Sequence, residues 1–401
     1  MLFFISNFFR QRNSKKVRVR AAIKFDMTFF VLIIGLLAFG WIMVTSTSMV
    51  EANYDYGNPY FYCVRQGFFA FLGFAAMIFA LLVPTDNYQK IYRLWLIIAF
   101  LLMIIVLIPD IGREVNGSRR WIPLVVINVQ VSEVVKLCSI MHFSSYLVHF
   151  GDIARETFKG VLKPLIILGA MAWLLLQEPD FGASIVIFTC IFGIMFMAGV
   201  KLTWFIVLIV LGFFAAMFLV IFEPYRLARL NGFLNPWEDA NNTGYQLVQA
   251  LISYGRGGWF GDGLGSGIQK QFFLPEAHTD FIISVVAEEL GTIGVIFLLM
   301  VYAFLIWKGM KIASFASFLN HYFQSYVAYG ISFWVAFQVI VHVGVNIGVL
   351  PTKGLTLPLI SYGGSSLLIM SFSLGILLRI DFENKITMDE IMPCYMYKKL
   401  S

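Results

Sequence analysis

The chain has 401 residues, of which 59% are apolar and only 13% charged, with a formal net charge of +6. Soluble domains carry about 25% charged residues, so this composition excludes an ordinary soluble enzyme and indicates a polytopic membrane protein. The positive excess is spread as a membrane topology requires rather than gathered into a nucleic-acid face, and no nucleic-acid partner is expected.

Ten apolar stretches approach the ~20 residues that a spanning helix needs: about 28–48, 66–84, 92–109, 130–149, 161–177, 181–199, 202–222, 281–307, 325–349 and 359–378. Glu133, Lys136 and His142 interrupt the fourth, and the fifth is short. With the N-terminus inside, 19 of the 29 Lys and Arg fall on the inner side and 9 on the outer, leaving Lys136 in the membrane. That is the bias of an inside-positive protein. The reading is therefore all-α and polytopic, with a basic N-tail at 1–27 that can touch anionic lipid. A ten-helix domain follows at 28–378, with a large outer loop at 223–280 and a C-tail at 379–401. The first apolar run is longer than the h-region of a cleaved signal peptide and lacks a small-residue cleavage pattern. Cys63 would lie outside, Cys138 and Cys190 in the membrane and Cys394 inside, so no disulfide is expected, and no spacing suggests a metal site.

The outer segment 110–129 carries Arg113, Arg119 and Arg120 on the disfavoured side. Either they hold an anion at the membrane surface or they pair with Asp110 and Glu114. In the fourth stretch Glu133 and Lys136 share a helix face. Buried charges of this kind pair, and they face a cavity when they serve function. Next, Glu178-Pro179-Asp180-Phe181-Gly182 reads as a tight turn, with Asp180 on the outer side. The large loop opens with Arg226 and Arg229, turns at Asn235-Pro236-Trp237, and contains an amphipathic helix over Tyr245 to Tyr254 that Gly255 ends. Gly261, Gly263, Gly265 and Gly267 follow; with no βαβ unit around them they read as a hinge, not a phosphate loop.

His278, Thr279 and Asp280 stand where this loop meets the eighth apolar stretch. Thr279 or Asp280 could cap that helix, or Asp280 could act as a general base. Glu288 and Glu289 lie two turns further on, where pairing within the structure is the simpler role. Pro351, Lys353 and Pro358 precede a second glycine site, Ser361-Tyr362-Gly363-Gly364-Ser365-Ser366, of the broken-helix kind that lines cavities. These residues alone fit a transporter, a lipid flippase, a scaffold or an enzyme acting on a lipid-linked substrate.

Five segments, GSRRWI (117–122), EPDFGA (178–183), FLNPWEDANNTGYQLVQALISYGRGGWFGDGLG (233–265), LPEAHTDFIISVVAEELG (274–291) and GVLPTKGLTLPLISYGGSSL (348–367), resemble the SEDS family (shape, elongation, division and sporulation proteins). EPDFG, NPWED and GRGGWFG resemble its cell-division branch. The resemblance implies a peptidoglycan glycosyltransferase in the bacterial inner membrane, at the septum, with both termini cytoplasmic. It would polymerise lipid II into β-1,4 glycan strands and release undecaprenyl pyrophosphate. Asp280 matches the family's essential aspartate and would be the base. Arg119, Arg120, Lys136, Arg226, Arg229 and Lys353 are candidates for the pyrophosphate, and a divalent cation (Mg or Mn) could share that task. Trp121, Glu133, Asp180, His278, Thr279, Ser361 and Ser365 are further substrate-site candidates within or beside these segments. A class B penicillin-binding protein (a transpeptidase) and division-complex regulators are implied as partners, for which small residues such as Gly291, Gly294, Ala328 and Gly330 offer helix faces. Val131 stands where the family usually has Pro, and Asn235 where it often has Asp. The competing reading is a lipid II flippase.

Overall fold

A computed structural model describes residues 25–115, 117–124, 127–201, 203–204, 212, 233, 235–242, 244–351 and 354–400. In chain order the described elements are α1 (Met27–Tyr56), α2 (Phe61–Leu82), α3 (Thr85–Lys90), α4 (Tyr92–Leu107), β1 (Arg113–Val115), β2 (Ser118–Pro123), β3 (Asn128–Gln130), α5 (Val131–Glu156), α6 (Phe158–Gln177), α7 (Phe181–Met197), α8 (Tyr245–Gly257), α9 (Ile282–Phe318), α10 (Tyr322–Asn346) and α11 (Gly364–Leu400). Six helices are long and apolar enough to cross a membrane: α1, α2, α6 from Lys159, α9, α10 and α11 to Ile391. The helices α4 and α7 are shorter apolar helices, and α5, which carries Glu133, Lys136 and His142, is not among the six. Each expected stretch except 202–222 thus carries a helix; that one lies mostly outside the described residues.

Local chemistry sets the helix ends. Asp26 Oδ1 accepts from the Thr28 and Phe29 N–H groups and starts α1. Gly57, at φ 64°, stops it with its N–H on Asn53 O, since a residue without a Cβ takes the left-handed C-cap without a steric clash. The helices α5, α10 and α11 form the most enclosed part of the bundle, with Phe143, Trp334 and Met370 fully buried. A charged cluster closes one end: Lys308 pairs with Asp26 at 2.6 Å, Lys385 with Asp381 at 2.7 Å, and the Asp26 N–H donates to Asp381 at 2.7 Å.

The structure differs from expectation in several places. Residues 113–130 form a small antiparallel sheet in the order β1-β2-β3, too short for any alternation to show in sequence. The last helix does not stop at 378. It continues through buried Arg379, Asp381 and Asn384: Arg379 donates to Glu383, Asp381 accepts from Lys385, and Asn384 Nδ2 donates to Ile312 O. The amphipathic helix runs past Gly255 to Gly257. Finally, Ala328 and Gly330 are not free for a partner: Ala328 is fully buried, and Gly330 faces Ile140 and Ile194.

The helix of the eighth apolar stretch, α9, is broken at Gly291 (φ 71°, ψ −177°). The glycine loop fills the break. Asp262 and Gly263 N–H donate to the Glu288 and Glu289 carbonyls at 2.9 and 3.0 Å, while Thr292 and Ile293 N–H donate to Gly258 and Trp259 at 2.9 and 3.2 Å. A broken helix inside a membrane protein persists where the freed backbone groups find partners, and here the loop supplies them. Side chains add to the clamp. Glu288, fully buried, accepts from the Ile268 and Gln269 N–H groups and pairs with Arg256 at 3.2 Å. Glu289, also fully buried, is paired with Lys270 and accepts from Ser46 at 2.8 Å. The loop expected to be a hinge is instead fixed to α9, and both glutamates are spent on fixing it.

Candidate active site

Four loops converge at the end of the bundle that carries Asp280. The 276–281 turn is tied to the 355–363 loop by Ser361 Oγ donating to Thr279 O at 2.6 Å and by Tyr362 N–H donating to His278 O at 2.9 Å. The Ser361 hydroxyl also accepts from Leu357 N–H at 2.8 Å, so this serine is a staple between loops. Ser365 Oγ accepts from Gln130 N–H at 3.1 Å and joins β3 to the start of α11. Gly182 lies against Leu355, bringing the 178–182 turn to the same place.

Asp280 sits at the centre, partly buried. Its backbone is held from both sides: its N–H donates to Glu276 O at 3.1 Å, and its carbonyl accepts from Asn346 Nδ2 at 3.0 Å. Asn346 is in turn fixed by Ser284, at 2.7 Å, and by His342 O, at 2.8 Å. The Asp280 carboxylate makes no hydrogen bond or ion pair among the described residues. It does not cap α9, whose N-cap is Phe281 without a side-chain hydrogen bond. Thr279 does not cap it either, because its hydroxyl bonds to Glu276 O and Oε2 at 3.1 and 2.7 Å. A Cβ on Gly354 would lie 2.8 Å from Asp280 Oδ2, so only glycine lets the 354 backbone pass so close to the carboxylate. Burial, with a smaller push from the Glu276 charge, raises Asp280 to about 7; His278 and Arg120 pull the other way.

His278 packs edgewise among Tyr62 and Tyr362, with centroids 4.7 and 5.5 Å away, and its Nδ1 is 3.2 Å from Glu51 Oε2. The imidazole beside it holds the Glu51 carboxyl below the usual carboxylate range. Arg120 extends from β2 to the 178–182 turn, donating through Nε to Glu178 O at 3.1 Å and through Nη2 to Pro179 O. Trp121 lies in the same strand, opposite Arg113 and Gln130. Arg119 points to the rim and pairs with Glu114 at 3.1 Å, both substantially exposed. Asp180 Oδ1 caps α7 through the Ala183 N–H at 3.2 Å, and its Oδ2 is buried without a partner.

Two other candidates lie elsewhere. Glu133 and Lys136 form a closed pair at 2.6 Å, 4% and 1% exposed, with Lys136 over the Trp334 ring at 5.1 Å. They neutralise each other inside the bundle. Arg226, Arg229 and Lys353 lie outside the described residues.

The sequence reading passed over Glu178, Asn346, Gly354 and Glu51. Glu178 is the most telling, being fully buried with neither carboxyl oxygen hydrogen-bonded. Burial and the Asp180 charge push it up to about 8, against the pull of Arg120. Its folded pKa is raised, so its contribution to stability is intact below the unfolded value and is lost as pH rises through about 8. Glu178→Gln, which keeps shape and removes the charge, is therefore expected to stabilise the protein on the order of 1–3 kcal/mol at neutral pH. The gain should widen toward about pH 9 and vanish near about pH 4. Thermal denaturation in detergent across that range checks it; a destabilised variant would mean that Glu178 is ionised and paired.

The arrangement can hold a carboxylate near neutrality, unengaged, beside a fixed guanidinium at a membrane boundary. That is equipment for removing a proton from a bound hydroxyl. A family model covering FtsW, RodA and SpoVE, described as "Cell cycle protein", matches residues 26–386. A protein of Francisella salina named "Probable peptidoglycan glycosyltransferase FtsW" is 55% identical over 400 residues, covering 100% of each chain. One of the same name from Allochromatium vinosum is 49% identical over 365 residues, covering 91% of each. A solved chain from work described as "Structural coordination of polymerization and crosslinking by a peptidoglycan synthase complex" aligns at TM-score 0.71 and 26% identity, covering 90% of this chain and 98% of that one. With a family match across nearly the whole membrane bundle and a relative aligned end to end, this chain belongs to the FtsW/RodA/SpoVE family, the SEDS proteins.

Proposed function

We propose that this multi-pass membrane protein is a peptidoglycan glycosyltransferase that polymerises lipid II at the outer membrane face during division, with Asp280 as the general base. The observation that carries the assignment of the base is the Asp280 carboxylate itself, free of hydrogen bonds among the described residues, raised to about 7 and fixed through its backbone. The relatives' names and the peptidoglycan synthase complex support the reaction class.

In the reaction, Asp280 takes the proton from the acceptor GlcNAc 4-hydroxyl. The oxygen then bonds to the donor's anomeric carbon as the bond to the pyrophosphate breaks, and undecaprenyl pyrophosphate leaves with the electron pair. Asn346, Ser361 and Gly354 position the base. The charge growing on the leaving group needs cations already in place. Arg120 is the described one nearest in electrostatic reach of Asp280, and Arg226, Arg229 and Lys353 are candidates by sequence. The leaving-group charge is assigned to these basic side chains. A class B penicillin-binding protein is the proposed partner, cross-linking the strand as it emerges, at a septum and with both termini in the cytoplasm.

The test is lipid II polymerisation by the purified protein with its cognate transpeptidase. Glycan strands should form. Strand formation should rise about tenfold per pH unit below about pH 7 and level off above it, because only ionised Asp280 accepts the proton. A profile flat from about pH 5 to about pH 8 would remove Asp280 from the role of base. Transbilayer movement of lipid II without polymer would favour the flippase.

A further inference from the structure

A cavity of about 550 Å³ opens between the Asp280-proximal half of α1 and the glycine loop. Trp41, Thr45 and Met49 line one side at helical spacing, Leu264 and Gly265 the other, and Cys63 of α2 contributes to the wall. Trp41 is 46% exposed on a helix long and apolar enough to cross a membrane. Its indole is pinned, with Nε1 donating to Cys63 O at 2.9 Å. The charged group at the cavity is already paired: Lys270 is paired with Glu289 and donates to Ser46 at 2.9 Å. What remains offers no free charge to a sugar or phosphate, and its lining is chiefly apolar.

The lining residues of α1 run from Trp41 to Val50, one residue short of Glu51. Trp41 to Glu51 is ten residues of α1, about 15 Å of helix, or half of a ~30 Å hydrocarbon core. At its upper end Glu51 meets His278, two residues before Asp280. A chain lying along the cavity would leave the bilayer core beside the base. At Gly265 no atom lies within 4 Å of where a Cβ would stand, so the loop side is open.

We infer that this cavity seats the polyprenyl chain of a lipid-linked sugar diphosphate, delivering its headgroup to Asp280; the inference rests on the proposed glycosyltransferase reading and adds a substrate subsite to it. A chain moving from bilayer to groove gains no hydrophobic energy, since lipid tails are as apolar as the wall. The groove acts by orientation, and by dispersion contacts that favour one chain shape.

The experiment uses the full-length protein in nanodiscs with a diazirine-bearing polyprenyl diphosphate, irradiated and mapped by peptide mass spectrometry. Label is expected on residues 41–50 and 264–271, reduced by excess unlabelled polyprenyl diphosphate. Label elsewhere, or equal labelling by a diazirine phospholipid, overturns the proposal. In parallel, Thr45→Trp and Met49→Trp fill the groove from a helical wall. Each should raise KM about tenfold for the long-chain substrate and leave a short-chain analogue unaffected. A kcat loss with both substrates, or an unchanged KM in both variants, also overturns it. If the wild type makes no polymer, the glycosyltransferase reading fails while the labelling map still decides the groove.

Discussion

Asp280→Asn is expected to lower lipid II polymerisation by about 10²–10⁴-fold while leaving the protein folded and no less stable. Both halves follow from one geometry. The carboxylate gives nothing to the fold through hydrogen bonds among the described residues: the contacts that fix residue 280 run through its N–H and carbonyl, which asparagine keeps. Its charge is a liability, because burial raises it to about 7. A carboxyl raised in the folded state loses its stability contribution as pH climbs through that value. Removing the charge should therefore hold or raise the thermal midpoint at pH above about 4. A helix cap would behave the opposite way, tolerating Asn in activity and losing stability with Ala. Polymer yield and thermal midpoint measured on the same preparation, bound to the same transpeptidase, separate the two. Full activity in Asp280→Asn would return the search to Asp180 and Glu178.

The sequence made Asp280 visible because a lone carboxylate between a polar loop and a long apolar run is rare and costly. It also made the helices visible, since a hydrocarbon core demands runs of about twenty apolar residues and soluble folds seldom contain them. What holds Asp280 was not visible. Asn346 is 66 residues away and Gly354 lies beyond another helix, so their approach depends on how α9 and α10 pack. A signal for Asn346 did exist: an amide inside an apolar helix needs a partner. Glu178 hid in a turn motif, where its neighbours Pro and Gly explained the segment without it. Glu133 and Lys136 share a helix face in the sequence, which leaves a cavity-facing pair and a self-neutralising one both open; the ring of Trp334 over Lys136 depends on α10 being in place. The break at Gly291 was hidden for a different reason. Hydropathy continues through it unchanged, and the partners of the broken turn come from the loop some thirty residues earlier.

That break makes a second large effect predictable. Gly261→Ala should cost about 3–5 kcal/mol and sharply reduce the yield of folded protein, whereas Gly265→Ala should cost about 1–2 kcal/mol. Both glycines have positive φ, 79° and 86°, so both substitutions pay the same order of backbone strain. They differ in what surrounds them. A Cβ at 261 would stand 2.2 Å from Glu289 O and 2.5 Å from Glu289 C, in the backbone of α9; at 265 it would meet nothing within 4 Å. Relief at 261 requires the loop to back away. That strips the Asp262 and Gly263 donors from the carbonyls of Glu288 and Glu289, at about 1–3 kcal/mol for each group left buried and unpaired. It also loosens the Lys270–Glu289–Ser46 contacts on α1. If the loop were a hinge, the two substitutions would be alike in stability and would differ only in turnover. Denaturation midpoints of the two variants, side by side, decide between a hinge and a clamp. A clamp means that the glycines are there for backbone-to-backbone contact, and that the floor beneath Asp280 is rigid before substrate arrives.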